Sequence, residues 1–342
     1  PVRPIAIGLL LAAGVARAAP PGAVEPEDPD FLTVIPGSSR PETGSATHLT
    51  ARELRVLEGR TAADGLRLVP GLVLVQHGSE GKGLQFFLRG FDAVHGADLE
   101  VTVDGIPMNG PSNVHGNGYV DIGWILPERL LGIDVAKGPF SVIEGPFAVA
   151  GSADFRIGVP ETRRGIDVQY EIGITNRHRG RIIWAPEDAD RRTFAAAEFM
   201  HDDGYGEARK AERAGFVSGL TFFDDARGRL EFTAAASYAV FDLPGSLRQD
   251  DLDEGLKGLY DVNDTQGRGE ASRLVAGAHW RRSAGRHDVD AALWATGSRL
   301  DLVENRTGYL IDPVHGDHRR QHEDAFEIGG QLRHAVALHP IA

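Results

Sequence analysis

The stretch Phe86-Phe87-Leu88-Arg89-Gly90-Phe91 is followed by Thr102-Val103-Asp104-Gly105-Ile106-Pro107 and, further along, by Ile133-Asp134-Val135-Ala136-Lys137-Gly138-Pro139. Each is a short apolar run that closes on glycine, the pattern of a strand entering a tight turn. Around them lies a compact α+β texture. Thr50-Ala-Arg-Glu53 is a capping box that predicts a short helix, and Thr61-Ala-Ala-Asp64 a weaker one opening a second. Pro70-Gly71 stops that second helix, and strands are expected at 72–75, 85–88, 99–103, 132–136 and 150–157. Two helices and several short strands in this span predict one small globular domain.

Upstream the texture is different. Arg3, the apolar run 5–15 and Ala16-Arg17-Ala18 read as an export signal over residues 1–18. Residues 19–48 are rich in Pro, Glu, Asp and Ser and cannot bury a core, so they are expected to be flexible. Within them, 30–37 (DFLTVIPG) is an apolar island, suited to adding as a strand to another protein's sheet.

Downstream of Arg164 the apolar residues alternate. Ile166, Val168, Tyr170, Ile172 and Ile174 share one face, opposite Asp167, Gln169 and Glu171. The pattern returns with Leu230, Phe232, Tyr238 and Val240 opposite Glu231, Thr233 and Ser237. It returns again with Leu274 and Trp280 opposite Arg273 and Arg281, and with Phe326, Ile328 and Leu332 opposite Glu327, Gln331 and Arg333. A soluble sandwich and a membrane barrel both alternate this way. Long strands, with short links at 224–228 and 283–286 against long ones at 243–271 and 301–324, favour the barrel. No segment is apolar and long enough for a transmembrane helix, so membrane insertion would require strands.

The whole chain sets further bounds. Its 342 residues include no cysteine, which removes disulfides and thiolate metal sites. A net charge of −13 argues against nucleic acid as partner. No nucleophile elbow, phosphate loop or triad appears, no cofactor is called for, and no metal site is assigned to any residue. His315, His318 and His322 are spaced to share a helical face, but their surroundings read as a solvated loop.

Taken in order, the elements resemble the plug domain of TonB-dependent outer-membrane receptors. Leu66-Arg-Leu-Val-Pro70-Gly71 resembles its helix stop, Phe87-Leu-Arg89-Gly90 its RG strand, and Val103-Asp104-Gly105-Ile-Pro107 its DG(I/V)P turn. Ile133-Asp-Val-Ala-Lys137-Gly138-Pro139 resembles its KGP element, and residues 145–157 its closing strand, with Phe147 where tyrosine is usual. The resemblance implies a plug at 49–160 followed at 165–342 by antiparallel transmembrane strands, part of a 22-stranded barrel. The remainder has room for about eight strands, too few to enclose a plug, so the expectation is a receptor cut at both ends.

The family likeness also implies a function: active uptake of a scarce ligand (a siderophore-type metal chelate, cobalamin or a carbohydrate) across the outer membrane of a Gram-negative bacterium. The alternative is a secreted plug-like module that binds without transporting. The implied partners are a TonB-type energy transducer of the inner membrane, a small extracellular ligand and outer-membrane lipid. Asp30, Phe31, Leu32, Thr33, Val34 and Ile35 are the candidate TonB box. Arg89, Gly90, Asp104, Gly105, Pro107, Lys137, Gly138 and Pro139 are given structural roles, with Arg89 expected to pair with a carboxylate of the barrel wall. Ligand contact is expected from the polar loop carrying Asp92, His95, Asn109, Asn113, His115, Asn117 and Tyr119.

Overall fold

A computed structural model describes residues 44–57, 60–140 and 144–337; the expected export signal and the candidate TonB box lie outside them. Strand β1 (Ser45–Thr50) leads into helix α1 (Ala51–Val56), and a 3-10 helix spans Ala62–Leu68. Both capping boxes form: Thr50 N donates to Glu53 Oε2 at 2.7 Å, and Thr61 N to Asp64 Oδ2 at 2.9 Å. Strands β2 (Leu72–Val75), β3 (Gln85–Leu88) and β4 (Phe91–Asp92) make a three-stranded sheet. Strands β5 (Leu99–Val103), β6 (Ile106–Pro107), β7 (Leu130–Lys137) and β8 (Gly151–Ile157) join β1 in a second sheet, ordered β1-β7-β8-β5-β6. Residues 45–48, read from composition as part of the flexible segment, are instead a sheet edge: Ser45 through Thr50 pair with β7. The core between the elements holds Leu66, Phe86, Leu88, Leu99, Val101, Ile133 and Phe155, all buried.

Eight antiparallel strands follow as a meander: β9 (Gly165–Gly173), β10 (Arg177–Ala185), β11 (Phe194–Asp202), β12 (Ala211–Asp225), β13 (Gly228–Asp242), β14 (Arg268–Ala284), β15 (His287–Asn305) and β16 (His318–Val336). The sheet is open, with β9 and β16 at its two edges. The long links are shorter than the sequence suggested, because β14 begins at Arg268, β15 runs on to Asn305 and β16 begins at His318. A second helix, α2 (Gln249–Asp253), lies in the link between β13 and β14.

Which way the strands face settles the choice between sandwich and barrel. Their apolar sets point outward: Ile172, Leu274, Phe326 and Ile328 are 74%, 62%, 75% and 81% exposed. Their opposite faces are covered by the N-terminal domain, and Glu198, Arg213, Glu231 and Arg273 are all buried there. Val217, Ala235 and Val275 join the same packed cluster as Val101 and Ile106. Water would not tolerate such an outward face, whereas hydrocarbon would. Gly277 sits where Ile106 presses on the wall; a Cβ there would lie 2.3 Å from Ile106 Cδ1.

The register makes a prediction. Spin labels on Cys substituted at Phe232, Leu274 and Ile328 in the membrane-inserted receptor should collide with oxygen more often than with a polar nickel chelate. The opposite preference would mean a one-residue slip, which turns every side chain to the other face.

Candidate functional site

The wall and the N-terminal domain meet through buried charges. Arg179 Nη1 and Nη2 donate to the two carboxylate oxygens of Glu128 at 2.7 and 3.0 Å. Burial works to raise the Glu128 acid, but Arg179 and Arg181 overcome it and hold the carboxyl at about 2. Arg192 Nη1 donates to Asp104 Oδ2 at 2.6 Å, while burial pushes the Asp104 carboxyl up to about 6 despite that guanidinium. Lys82 pairs with Glu304 of β15, both side chains almost out of water. Arg273 Nη2 donates to the Met108 carbonyl at 3.0 Å. Charges so placed need their partners, because an unpaired buried ion costs several kcal/mol. Together they fix one register between the two parts.

The turn motifs take up the geometry that glycine permits: Gly90, Gly105 and Gly138 have φ of +88°, +80° and +110°. Pro107 closes β6, Pro139 follows β7, and Lys137 is buried at the end of β7. Arg89 departs from expectation. It sits exposed in the β3–β4 turn at φ +49°, and no wall carboxylate pairs with it among the described residues. The motif residue that does meet the wall is Asp104, through Arg192.

The polar loop divides into two groups. Asn109 is buried and spends its side chain on the backbone: Oδ1 accepts from Val101 N at 2.8 Å, and Nδ2 donates to the carbonyls of Gly96 and Leu99, each at 2.9 Å. Tyr119 is also buried, its hydroxyl accepting from Gly83 N at 2.6 Å and its acidity suppressed by that burial. Asp92 caps its own turn, accepting from Val94 N at 3.0 Å. Asn109 and Asp92 spend these groups on bracing the loop, while Tyr119 both braces it and lines the recess beside Asn113. Asn109→Ala would orphan one buried N–H and several carbonyls, at about 1–3 kcal/mol for each group left unmade. Denaturant unfolding of the Asn109→Ala chain should show a loss of at least that size; an unchanged midpoint would contradict the bracing role.

Asn113, His115 and Asn117 remain near the surface, and Asn113 and Tyr119 line a small recess between loop and wall. Asp121, Arg273, Arg299, Glu323 and Glu327 add charge to its lining. Beside it, His95 and His115 face each other with Nε2 atoms 3.1 Å apart, and His77 meets His95 edge-on at 5.9 Å between centroids. Burial, then the neighbouring His115, pushes His95 down to about 4; burial also lowers His115. Both rings are therefore neutral at neutral pH. Sequence reading had placed His95 and His115 in one loop but could not see that they meet. His315, His318 and His322 do not converge: His318 turns to Asp264, His322 to Asp301 and His315 to Asp312.

Residues 38–152, nearly the whole N-terminal domain, match the TonB-dependent Receptor Plug Domain. This is the plug of a TonB-dependent receptor. The plug-bearing chain is 30% identical over 129 residues to the vitamin B12 transporter BtuB of Vibrio vulnificus strain CMCP6, a match covering 38% of this chain and 20% of that one. It is 26% identical over 165 residues to BtuB of strain YJ016, covering 47% and 25%. It thus spans a quarter or less of the curated relatives it matches. Among solved structures, the ferric citrate transporter FecA in its unliganded form aligns with TM-score 0.63 at 16% identity, covering 77% of this chain and 41% of that one. The copper transporter OprC aligns with TM-score 0.62 at 17% identity, covering 86% and 44%. At these identities the structures speak for the fold alone: a plug followed by antiparallel barrel strands. The receptor's place is the Gram-negative outer membrane.

Proposed function

We propose that this chain forms the plug and adjoining wall of a receptor that takes up a scarce small ligand actively. What carries the reading is the plug held by buried ion pairs against strands whose outer face suits lipid. A plug seated this way closes a passage, and opening it requires work. That work would come from a TonB-type protein of the inner membrane engaging residues 30–35. The domain limits follow the same reading, plug at 49–160 and wall at 165–342, with the plug's start moved back to Ser45 because β1 pairs with β7. Binding and passage, rather than covalent catalysis, are the task, and the recess beside Asn113 is the place of first contact. The relatives named for vitamin B12, ferric citrate and copper supply the candidate ligands.

The test is accumulation of labelled cyanocobalamin, ferric citrate and copper by cells carrying the gene, with and without a protonophore. Uptake of one ligand that collapses with the protonophore, while surface binding persists, is the expected result. Uptake indifferent to the protonophore, or binding with no uptake under any condition, would overturn the reading.

A further inference from the structure

The hydrogen bonds around His95 and His115 leave one arrangement of protons. His95 Nδ1 lies 3.1 Å from the Leu84 carbonyl, which can only accept, so Nδ1 carries the hydrogen. His115 Nδ1 lies 2.8 Å from Gln321 Oε1. Gln321 cannot turn its amide over, because its Nε2 donates to the Val114 carbonyl at 3.1 Å and a flip would set two oxygens against each other. His115 Nδ1 is therefore a donor too. Both Nε2 atoms then present bare lone pairs to one another at 3.1 Å. Two acceptors at hydrogen-bond distance repel unless something positive lies between them.

A second histidine pair shows the contrast. His287 Nδ1 and His334 Nε2 approach to 2.9 Å on the exposed surface of β15 and β16, and nothing forbids one from donating to the other. That pair is an ordinary hydrogen bond. The His95–His115 pair is not.

We propose that His95 and His115 together bind a borderline divalent metal ion, of the zinc, nickel or copper(II) class, through their Nε2 atoms. At metal–nitrogen lengths of about 2.0–2.1 Å, a separation of 3.1 Å subtends roughly 100° at the ion, the angle of two adjacent ligands. Each ring donates its other N–H to a carbonyl, the outer-shell contact that fixes a ligating imidazole. No set of three or more His, Cys, Asp or Glu among the described residues makes a complete cage. The ion therefore keeps open positions, for water or for the donor atoms of a chelator. A ferric ion closed by six oxygens has no position to give to imidazole, so the pair selects an incompletely wrapped metal. The nearby Lys82 ammonium is neutralised by Glu304 and does not oppose the ion unpaired. Because Gln321 belongs to β16, the site spans plug and wall, and a bound ion would report their register.

The inference deepens the proposed uptake function by naming a cargo class, yet its test needs no transport. The untagged chain, purified in detergent micelles, is dialysed against Zn²⁺, Ni²⁺ or Cu²⁺ salts, and bound metal is measured. Copper(II) paramagnetic resonance then counts coordinating nitrogens. A single equivalent with two imidazole nitrogens is expected. His115→Asn should weaken binding by more than tenfold and remove a nitrogen. Gln321→Leu, which keeps both ligands but frees the ring, should weaken it roughly 10–100-fold. His334→Asn should change nothing. If His115→Asn fails to fold, Gln321→Leu decides. A chain that binds no metal, with a proton shared between the rings, overturns the proposal. So does binding that survives both variants, or that disappears with His334→Asn. Failure here with intact protonophore-sensitive uptake would remove the metal site and leave the transporter standing.

Discussion

Glu198→Ala should destabilise the folded chain by about 3–5 kcal/mol, the usual cost of stripping one partner from a buried ion pair. Glu198 lies on the inner face of β11 between two guanidiniums. It accepts from Arg179 Nε at 2.6 Å and from Arg213 Nε and Nη2 at 3.0 and 2.8 Å. Both arginine side chains are only 4% exposed, so neither can recover its hydration when the carboxylate is gone. Glu128 retains part of Arg179, but among the described residues Arg213 keeps only Glu80, at 3.7 Å. Phe199→Ala, one residue along and facing outward, removes a side chain that makes no such pair and should cost far less. Heat- or denaturant-induced unfolding in micelles compares the two. Equal losses would mean that the inner face of β11 is not where the structure puts it.

Uptake should fall to background in a Val34→Pro receptor, with ligand binding retained. The proposal is that residues 30–35 add as a strand to the energising partner's sheet. Proline removes the Val34 N–H and fixes its φ, which breaks the pairing without touching the plug. Surface levels must be matched by antibody labelling of intact cells. Normal uptake in that background would place the coupling segment elsewhere or remove energy coupling from the account.

The sequence carried the plug because its elements are marked by local chemistry. Capping boxes at Thr50 and Thr61, the Pro70-Gly71 stop, and glycines closing β5 and β7 each act within a few residues. The later strands were legible where the wall meets hydrocarbon on one side and polar groups on the other, as in β13, where Phe232 and Tyr238 alternate with Glu231 and Thr233. Strands β10 and β11 went unread for a physical reason. On β10, Arg177 and Arg179 share the inner face with Ile183, while His178 and Gly180 lie on the outer one, so charge and apolarity no longer separate by face. On β11 the outer positions include Ala195 and Ala197, too small to stand out against Phe194 and Met200 inside.

The candidate site was half legible. The loop was located from its composition, but the division of labour within it depends on contacts far apart in sequence. Asn109 reads as a polar loop residue until its partners Val101 and Gly96 are seen. His115 acquires its role only from Gln321, which lies 206 positions away on β16. No partner for Arg89 was legible, because a motif fixes the turn and not the direction of the side chain beyond it.

The central claim is that the plug sits against the inner face of the strands in one register, held by opposite charges. An exchange of Lys82 and Glu304 tests it most directly, since one belongs to the plug and the other to β15, and their side chains are 1% and 11% exposed. Stability in micelles is measured for Lys82→Glu, Glu304→Lys and the double exchange. Each single change buries like charges together and should weaken the fold strongly. The double exchange should recover much of that loss, with a coupling energy of about 1–3 kcal/mol. Losses that simply add would show that the two residues do not meet, and the plug would not be seated as described.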